Sequence, residues 1–217
     1  MQISWLGHSC FKIEAKANGG SVTILIDPFE EDRVGLKLPK TKADIVLISH
    51  DHQDHNDITR AKGEPFVIKT AGEYEVSKVV VYGVPTYHDT EKGAERGLNT
   101  CFRIDVEGLS VVHLGDLGHI LTESQLELLE GADILLIPVG GVYTIDAKKA
   151  SEVVSQIEPR IVIPMHYKIP GLKINVDGVE DFLKEMGAKK TEAESKLKIT
   201  KKDLMTEDTH VVLLKRT

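Results

Sequence analysis

The chain has 217 residues, and 27 lysines and arginines against 34 aspartates and glutamates leave a formal charge of −7. That acidity disfavours a broad basic face for nucleic acid or anionic lipid, and no apolar run approaches the roughly 18 residues of a membrane span. With 41% hydrophobic residues, 28% charged residues and two cysteines, disorder and a disulfide framework are excluded; a single cytoplasmic domain over 1–217 is expected.

Short runs rich in β-branched and aromatic residues predict strands over 3–6, 10–14 and 22–26, with Gly19-Gly20 as the turn between the last two. The continuous apolar run at 44–48 reads as a strand covered on both faces. Strands follow at 79–84, 101–106 and 109–112, the last two joined by Glu107-Gly108. Beyond that point strands alternate with helices. Thr122 and Gln125 form a capping box for a helix with Leu126 and Leu129 inward. A buried strand is expected at 134–139, a helix at 147–157 ended by Pro159, and a strand at 160–164. Asp177 with Glu180 predicts the cap of a helix whose Val179, Phe182, Leu183 and Met186 share one face before Gly187. Residues 196–199 and 210–214 predict a closing strand pair, and the charged stretch 188–208 a solvated surface segment. The pattern implies a layered α/β architecture, with sheet inside and helices outside.

Nine histidines stand out, and three of them fall in His50-Asp51-His52-Gln53-Asp54-His55, directly after the strand at 44–48. Side chains two apart on extended chain project to one side, so His50 and His52 can share an ion. Asp54 and His55 lie where the chain can turn toward a neighbouring ion. Imidazole and carboxylate are the usual donors for zinc and related first-row metals. His88, Asp116 and His166 each follow the carboxyl end of an apolar strand, the edge where ligands collect in α/β sheets. Donor counting gives His50, His52 and His88 to one ion and Asp54, His55 and His166 to a second. Asp116 then bridges them, with room between for water or hydroxide.

In this order the motifs resemble those of metallo-β-lactamase-fold hydrolases, specifically the compact ascorbate-phosphate lactonase-like branch. Trp5-Leu6-Gly7-His8-Ser9 resembles the family's opening segment, and Ile24-Leu25-Ile26-Asp27-Pro28 the motif whose aspartate braces the metal loop. His50 to His55 matches the histidine-rich motif at every ligand position. Thr86-Tyr87-His88-Asp89 resembles the segment of the isolated histidine ligand, and Leu114-Gly115-Asp116 that of the bridging aspartate. The segments 138–144 and 163–167 resemble the last two motifs. Leu117 departs from the pattern, since Thr or Ser commonly follows the bridging aspartate. The resemblance implies a four-layer αββα sandwich of the metallo-β-lactamase type, with the site at one edge between two sheets.

The function expected is that of a dinuclear metal-dependent hydrolase, using a metal-bridging hydroxide on a small ester, lactone or phosphodiester. Two divalent ions are expected, zinc first, with manganese or iron compatible with the same donors. Asp54 is expected to orient the nucleophile as well as bind metal. The leaving-group proton is assigned to His8, Tyr143 or a metal-bound water; His8 alternatively supports the metal loop, and Tyr143 either donates to an oxyanion or packs its own loop. His113 is expected to point away from the site or to buttress it, and His119 and His210 to lie on the surface. Cys10 and Cys101 read as small buried hydrophobes. Asp51, Gln53 and Asp89 read as solvent-exposed neighbours of the ligands, and the charged segment 30–42 as a surface loop or a border of the pocket. The alternatives are an RNA-processing nuclease of the same fold, a non-catalytic metal-binding protein, and a redox di-iron protein, whose usual pattern has a carboxylate at the position of His52. A small-molecule substrate is expected, with no membrane or nucleic-acid partner; a homo-oligomer is compatible with the sequence.

Overall fold

A computed structural model describes residues 1–17, 19–204 and 208–217. The first half contains β1 (Gln2–Gly7), β2 (Cys10–Ala17), β3 (Gly20–Ile26), α1 (Glu31–Val34), β4 (Thr41–Lys42), β5 (Ile45–Leu47), β6 (Ala61–Lys62) and β7 (Phe66–Ile68). The second contains β8 (Gly72–Val76), β9 (Val79–Tyr87), β10 (Leu98–Val106), β11 (Leu109–His113), α2 (Glu123–Leu129), β12 (Ile134–Pro138), α3 (Ala147–Ile157), β13 (Ile161–Met165), α4 (Glu180–Glu185), β14 (Leu197–Lys198) and β15 (His210–Val211). One sheet has the order β14-β1-β2-β3-β5-β7 and the other β15-β13-β12-β11-β10-β9-β8; β4 and β6 pair separately.

The core follows from the apolar runs. Ile13, Ile24 and Ile45 of the first sheet join Val81, Phe102, Ile104 and Val111 of the second in one buried cluster. β12 and β13 are parallel and buried at every position, as continuous apolar strands covered on both faces should be. Leu129 of α2, Val153 and Ile157 of α3 and Phe182 of α4 extend this cluster on the helical side. Leu25 and Val46 of the first sheet instead pack with Val34, Leu36, Leu38, Leu172 and Val176. The result is the expected αββα layering, but the layer over the first sheet is a four-residue helix and adjoining loops.

Local signals act where they were read, with two exceptions. The Thr122–Gln125 capping box forms, and Asp146 caps α3 by accepting from the Lys149 N–H at 2.8 Å. Asp177 does not cap α4: its own N–H donates to Gly140 and its carbonyl accepts from Lys168, both at 2.8 Å, which fixes it in the preceding loop. The predicted closing pair also does not form. β14 lies antiparallel to β1 and β15 parallel to β13, so each covers the open edge of a different sheet. The same end of the chain returns to the start, where the Thr217 N–H donates to the Trp5 carbonyl at 3.0 Å and Arg216 to the Lys37 carbonyl at 3.0 Å. Of the expected surface segment, residues 205–207 lie outside the described residues. Among the described residues no helix is long and apolar enough to cross a membrane.

Candidate metal centre

Four parallel or returning strands end on one rim. Beyond β5 the chain delivers His50 to His55, beyond β9 His88, beyond β11 Asp116 and beyond β13 His166. They converge on one carboxylate oxygen. Asp116 Oδ2 lies 3.2 Å from His166 Nε2, 3.3 Å from His55 Nε2, 3.3 Å from His88 Nε2 and 4.0 Å from His50 Nε2. Three overlapping groups have donor atoms close enough to hold a cation: His50, His52 and His88; His50, His55 and Asp116; and His8, His55 and His166. Asp54 Oδ2 sits 3.8 Å from His55 Nε2 and 3.2 Å from His8 Nε2. Among the described residues, His50 Nε2 is buried with no hydrogen-bond partner, so a cation would satisfy it. The donor set therefore fits one or two divalent ions held by nitrogen and oxygen.

The ligand loop is braced by Asp27. Its Oδ1 accepts from the Ser49 N–H at 2.8 Å, and its Oδ2 accepts from the Ser49 hydroxyl at 2.7 Å and from His55 Nδ1 at 3.1 Å. Ser49 Oγ also lies 2.9 Å from His50 Nδ1, so the hydroxyl links the brace to His50 while Asp27 holds His55 directly. Asn99 does the same for Asp116: it accepts the Asp116 N–H at 2.9 Å and donates to the Leu114 carbonyl at 2.9 Å. Gly115, at φ 55°, completes this turn, because a Cβ there would strike Asn99 Oδ1 and Ser49. His113 buttresses from behind, donating through Nε2 to the Ser9 carbonyl at 2.9 Å and accepting the Gly115 N–H at 3.1 Å. His8, Asp27 and His166 all hold positive φ (54°, 46° and 54°), a concentration of backbone strain typical of functional sites.

Electrostatics divide the histidines. Burial, with the neighbouring His166, lowers His8 to about 4, and burial, with His55, holds His50 well below its usual value. Burial also lowers His52, helped by His88. For His55 burial acts downward too, but Asp116 and the hydrogen bonds to Asp116 and Asp27 raise it well above 6.5. Burial would raise Asp27, Asp54 and Asp116, yet their histidine partners hold all three below the ordinary carboxylate range.

His52, Asp54, His88, Asp116 and His166 open into a cleft of about 800 Å³. Tyr143, Arg33, Arg96 and Lys173 stand on its walls, so the segment 30–42 does border the pocket, through Asp32 and Arg33. His8 is fully buried and lies off the cleft. Tyr143 is 40% exposed, with the Arg96 guanidinium 6.0 Å from its ring centre. Two residues read as surface groups are structural. Asp89 is buried and accepts the N–H groups of Glu91, Gly93, Glu95 and Arg96 at 2.7–3.0 Å, which folds the loop carrying Arg96. His119 accepts the Tyr87 N–H at 3.1 Å and donates to the Ile120 carbonyl at 2.8 Å. Asp51, Gln53 and His210 are exposed, and both cysteines are buried, as expected.

Residues 2–166 match the beta-lactamase superfamily domain. A UPF0173 metal-dependent hydrolase of Staphylothermus marinus is 32% identical, over 76% of this chain and 82% of that one. A second, from Archaeoglobus fulgidus, is 29% identical over 89% of this chain and 94% of its own. This chain is a beta-lactamase superfamily protein of the UPF0173 metal-dependent hydrolase branch. The crystal structure of a proposed zinc-dependent hydrolase of the metallo-beta-lactamase superfamily from Thermotoga maritima agrees with it at a TM-score of 0.80. That protein is 38% identical, with 98% of this chain and 97% of that one covered. The human short-form tRNase Z shares the fold alone, at 13% identity and a TM-score of 0.55, over 77% of this chain and 92% of its own. The superfamily expectation thus holds, with the UPF0173 hydrolases as its branch.

Proposed function

We propose that this metal-dependent hydrolase works with two divalent ions, zinc first, on a small ester, lactone or phosphodiester. The observation that carries the reading is Asp116 Oδ2 within 3.2–4.0 Å of four histidine Nε2 atoms, beneath an open cleft. His50, His52 and His88 would hold one ion, Asp54, His55 and His166 the other, and Asp116 both. Ions held there supply Lewis acidity and make water ionise near neutral pH. The zinc dependence proposed for the Thermotoga maritima protein supports zinc over manganese or iron.

The chain's own groups would supply orientation and charge. Asp54 faces the cleft and accepts a hydrogen bond from attacking water, aligning it with the substrate. The Tyr143 phenol, exposed on the wall, donates to the oxygen on which charge develops. His8 is buried off the cleft, which supports Tyr143 or water as the source of the leaving-group proton. Arg33, Arg96 and Lys173 line the walls from three separate segments, beside Asp32 and Asp51, and offer cationic donors to a negative group of the substrate. A phosphodiester or an ester carrying an acidic substituent supplies such a group, met as a small molecule in the cytoplasm.

The test is metal removal and defined reconstitution, with metal stoichiometry and turnover followed on the same samples. The panel holds bis-nitrophenyl phosphate, several lactones, an ester, a cephalosporin and short RNA, with His52→Ala beside the wild type. Turnover of one small-molecule class, restored by metal and lost in His52→Ala, is expected. Two bound ions with no turnover of any substrate would favour a non-catalytic metal-binding protein, and turnover of RNA alone would favour a nuclease.

A further inference from the structure

We propose that His8 is a sixth imidazole donor of the centre, binding the ion held by Asp54, His55 and His166 from the side away from the cleft. The proposal rests on the two-ion reading above and adds a ligand from the first strand turn.

The backbone around His8 is fixed before its ring is considered. Its carbonyl accepts from the Trp5 indole at 2.9 Å and from the His166 N–H at 3.1 Å, so the turn is pinned to a candidate ligand. Gly7 leaves no slack behind it, because a Cβ there would meet Arg216 and Leu36 at 2.7 and 2.9 Å. The ring is thus aimed by structure on both sides, at a positive φ of 54°.

The ring nitrogen then meets two candidate ligands at once. His8 Nε2 is 3.2 Å from Asp54 Oδ2 and 3.2 Å from His55 Nε2. His55 gives its Nδ1 proton to Asp27, so in the neutral ring its Nε2 presents a lone pair. In the metal-free site the His8 proton can go to Asp54 and the His55 Nε2 proton to the Asp116 oxygen 3.3 Å away, and both protons must leave these nitrogens for a cation to bind. A cation at the convergence serves these groups together.

The separations also suit an ion. Donors about 2.0–2.2 Å from a zinc ion at near-tetrahedral angles lie about 3.3–3.6 Å apart. Around this point the observed spacings are 3.2 Å from His8 to Asp54, 3.2 Å from His8 to His55, 3.8 Å from His55 to Asp54 and 3.2 Å from His166 to Asp116. With His8 included, each side of Asp116 has three imidazoles: His50, His52 and His88 on one, His8, His55 and His166 on the other. The inner ion then has the larger donor set and exchanges more slowly than the outer one.

Wild-type protein loaded with cadmium-113 tests this directly through cadmium–proton correlation NMR. Ring protons of six histidines, His8 among them, are expected to show coupling to cadmium; five coupled histidines without His8 would overturn the proposal and leave the two-ion reading intact. A protein that binds no metal would sink both. As a second arm, His8→Asn suits the positive φ but cannot reach the donor cluster. It should weaken one of two zinc ions at least 10-fold and alter the visible spectrum of the cobalt form. Two ions retained at wild-type affinity with an unchanged cobalt spectrum would also refute the proposal.

Discussion

Replacing Asp27 by Asn tests whether the brace sets the chemistry of the ligand loop. The buried carboxylate accepts three hydrogen bonds, from the Ser49 N–H, the Ser49 hydroxyl and His55 Nδ1. An asparagine of nearly the same shape keeps one acceptor for the Ser49 N–H but turns an NH₂ group toward the other two. Ser49 can rotate its hydroxyl and accept. His55 can adapt only by presenting Nδ1 as an acceptor, which moves its proton to Nε2, the atom 3.3 Å from Asp116 Oδ2. In that tautomer Nε2 has no lone pair for a cation. Loss of such an orienting partner costs about 10–100-fold in metal affinity, or about 1.4–2.7 kcal/mol. Competition against a chelator of known affinity measures it, with thermal unfolding of the stripped protein read separately to detect damage to the fold. One of the two ions should weaken by that factor. Unchanged affinity for both would refute the argument that Asp27 acts through the His55 tautomer.

The raised pKa of His55 in the metal-free site means that binding must displace its proton, so metal affinity should rise with pH; calorimetry in buffers of differing ionisation enthalpy counts the protons released. In the stripped protein Asp27 and Asp116 lie below their ordinary 3.8, so their stabilisation is present above that pH and lost as pH falls through the folded values. His55 has the opposite sign: its contribution is full below 6.5 and lost as pH rises through its higher folded value, so Tm should decline at both ends of a pH series. Asp116→Asn should reduce bound metal by at least one ion per chain, whereas His113→Ala, which removes a buttress, should reduce it less; elemental analysis of both decides, and the reverse order would overturn the placement of the bridge. Asp89→Ala leaves four backbone N–H groups without their acceptor, and should loosen the loop of Arg96 and raise KM for an anionic substrate several-fold while metal content stays at the wild-type value.

The sequence carried the ligand rim because each donor follows an apolar strand whose identity does not depend on its neighbours. His50 to His55, His88, Asp116 and His166 could each be placed from the run preceding it. Long-range support was harder to read. Asn99 sits at the start of β10 and holds Asp116 across a gap of 17 positions, with no local pattern to mark it. Asp89 looked like a solvated acid because its acceptor role depends on a loop that folds around it. β7, three residues long, falls below the length at which alternation can be recognised, and β14 and β15 were paired with each other because sequence shows apolarity but not which sheet edge is open. His8 lay between two readings for the same reason: its ring acts through residues far along the chain.

The return of Leu197, Lys198 and Thr217 to the first strand ties the two ends of the chain together. Met1 bonds to Ile199 across 198 positions, and Thr217 reaches Trp5 across 212. Contacts of that separation are the slowest to close, because the intervening chain must be ordered before they form. The turn that presents His8 closes the local β1–β2 hairpin, and the tail adds long-range contacts behind it. A chain shortened by its final few residues would keep every ligand named here and still hold metal less firmly.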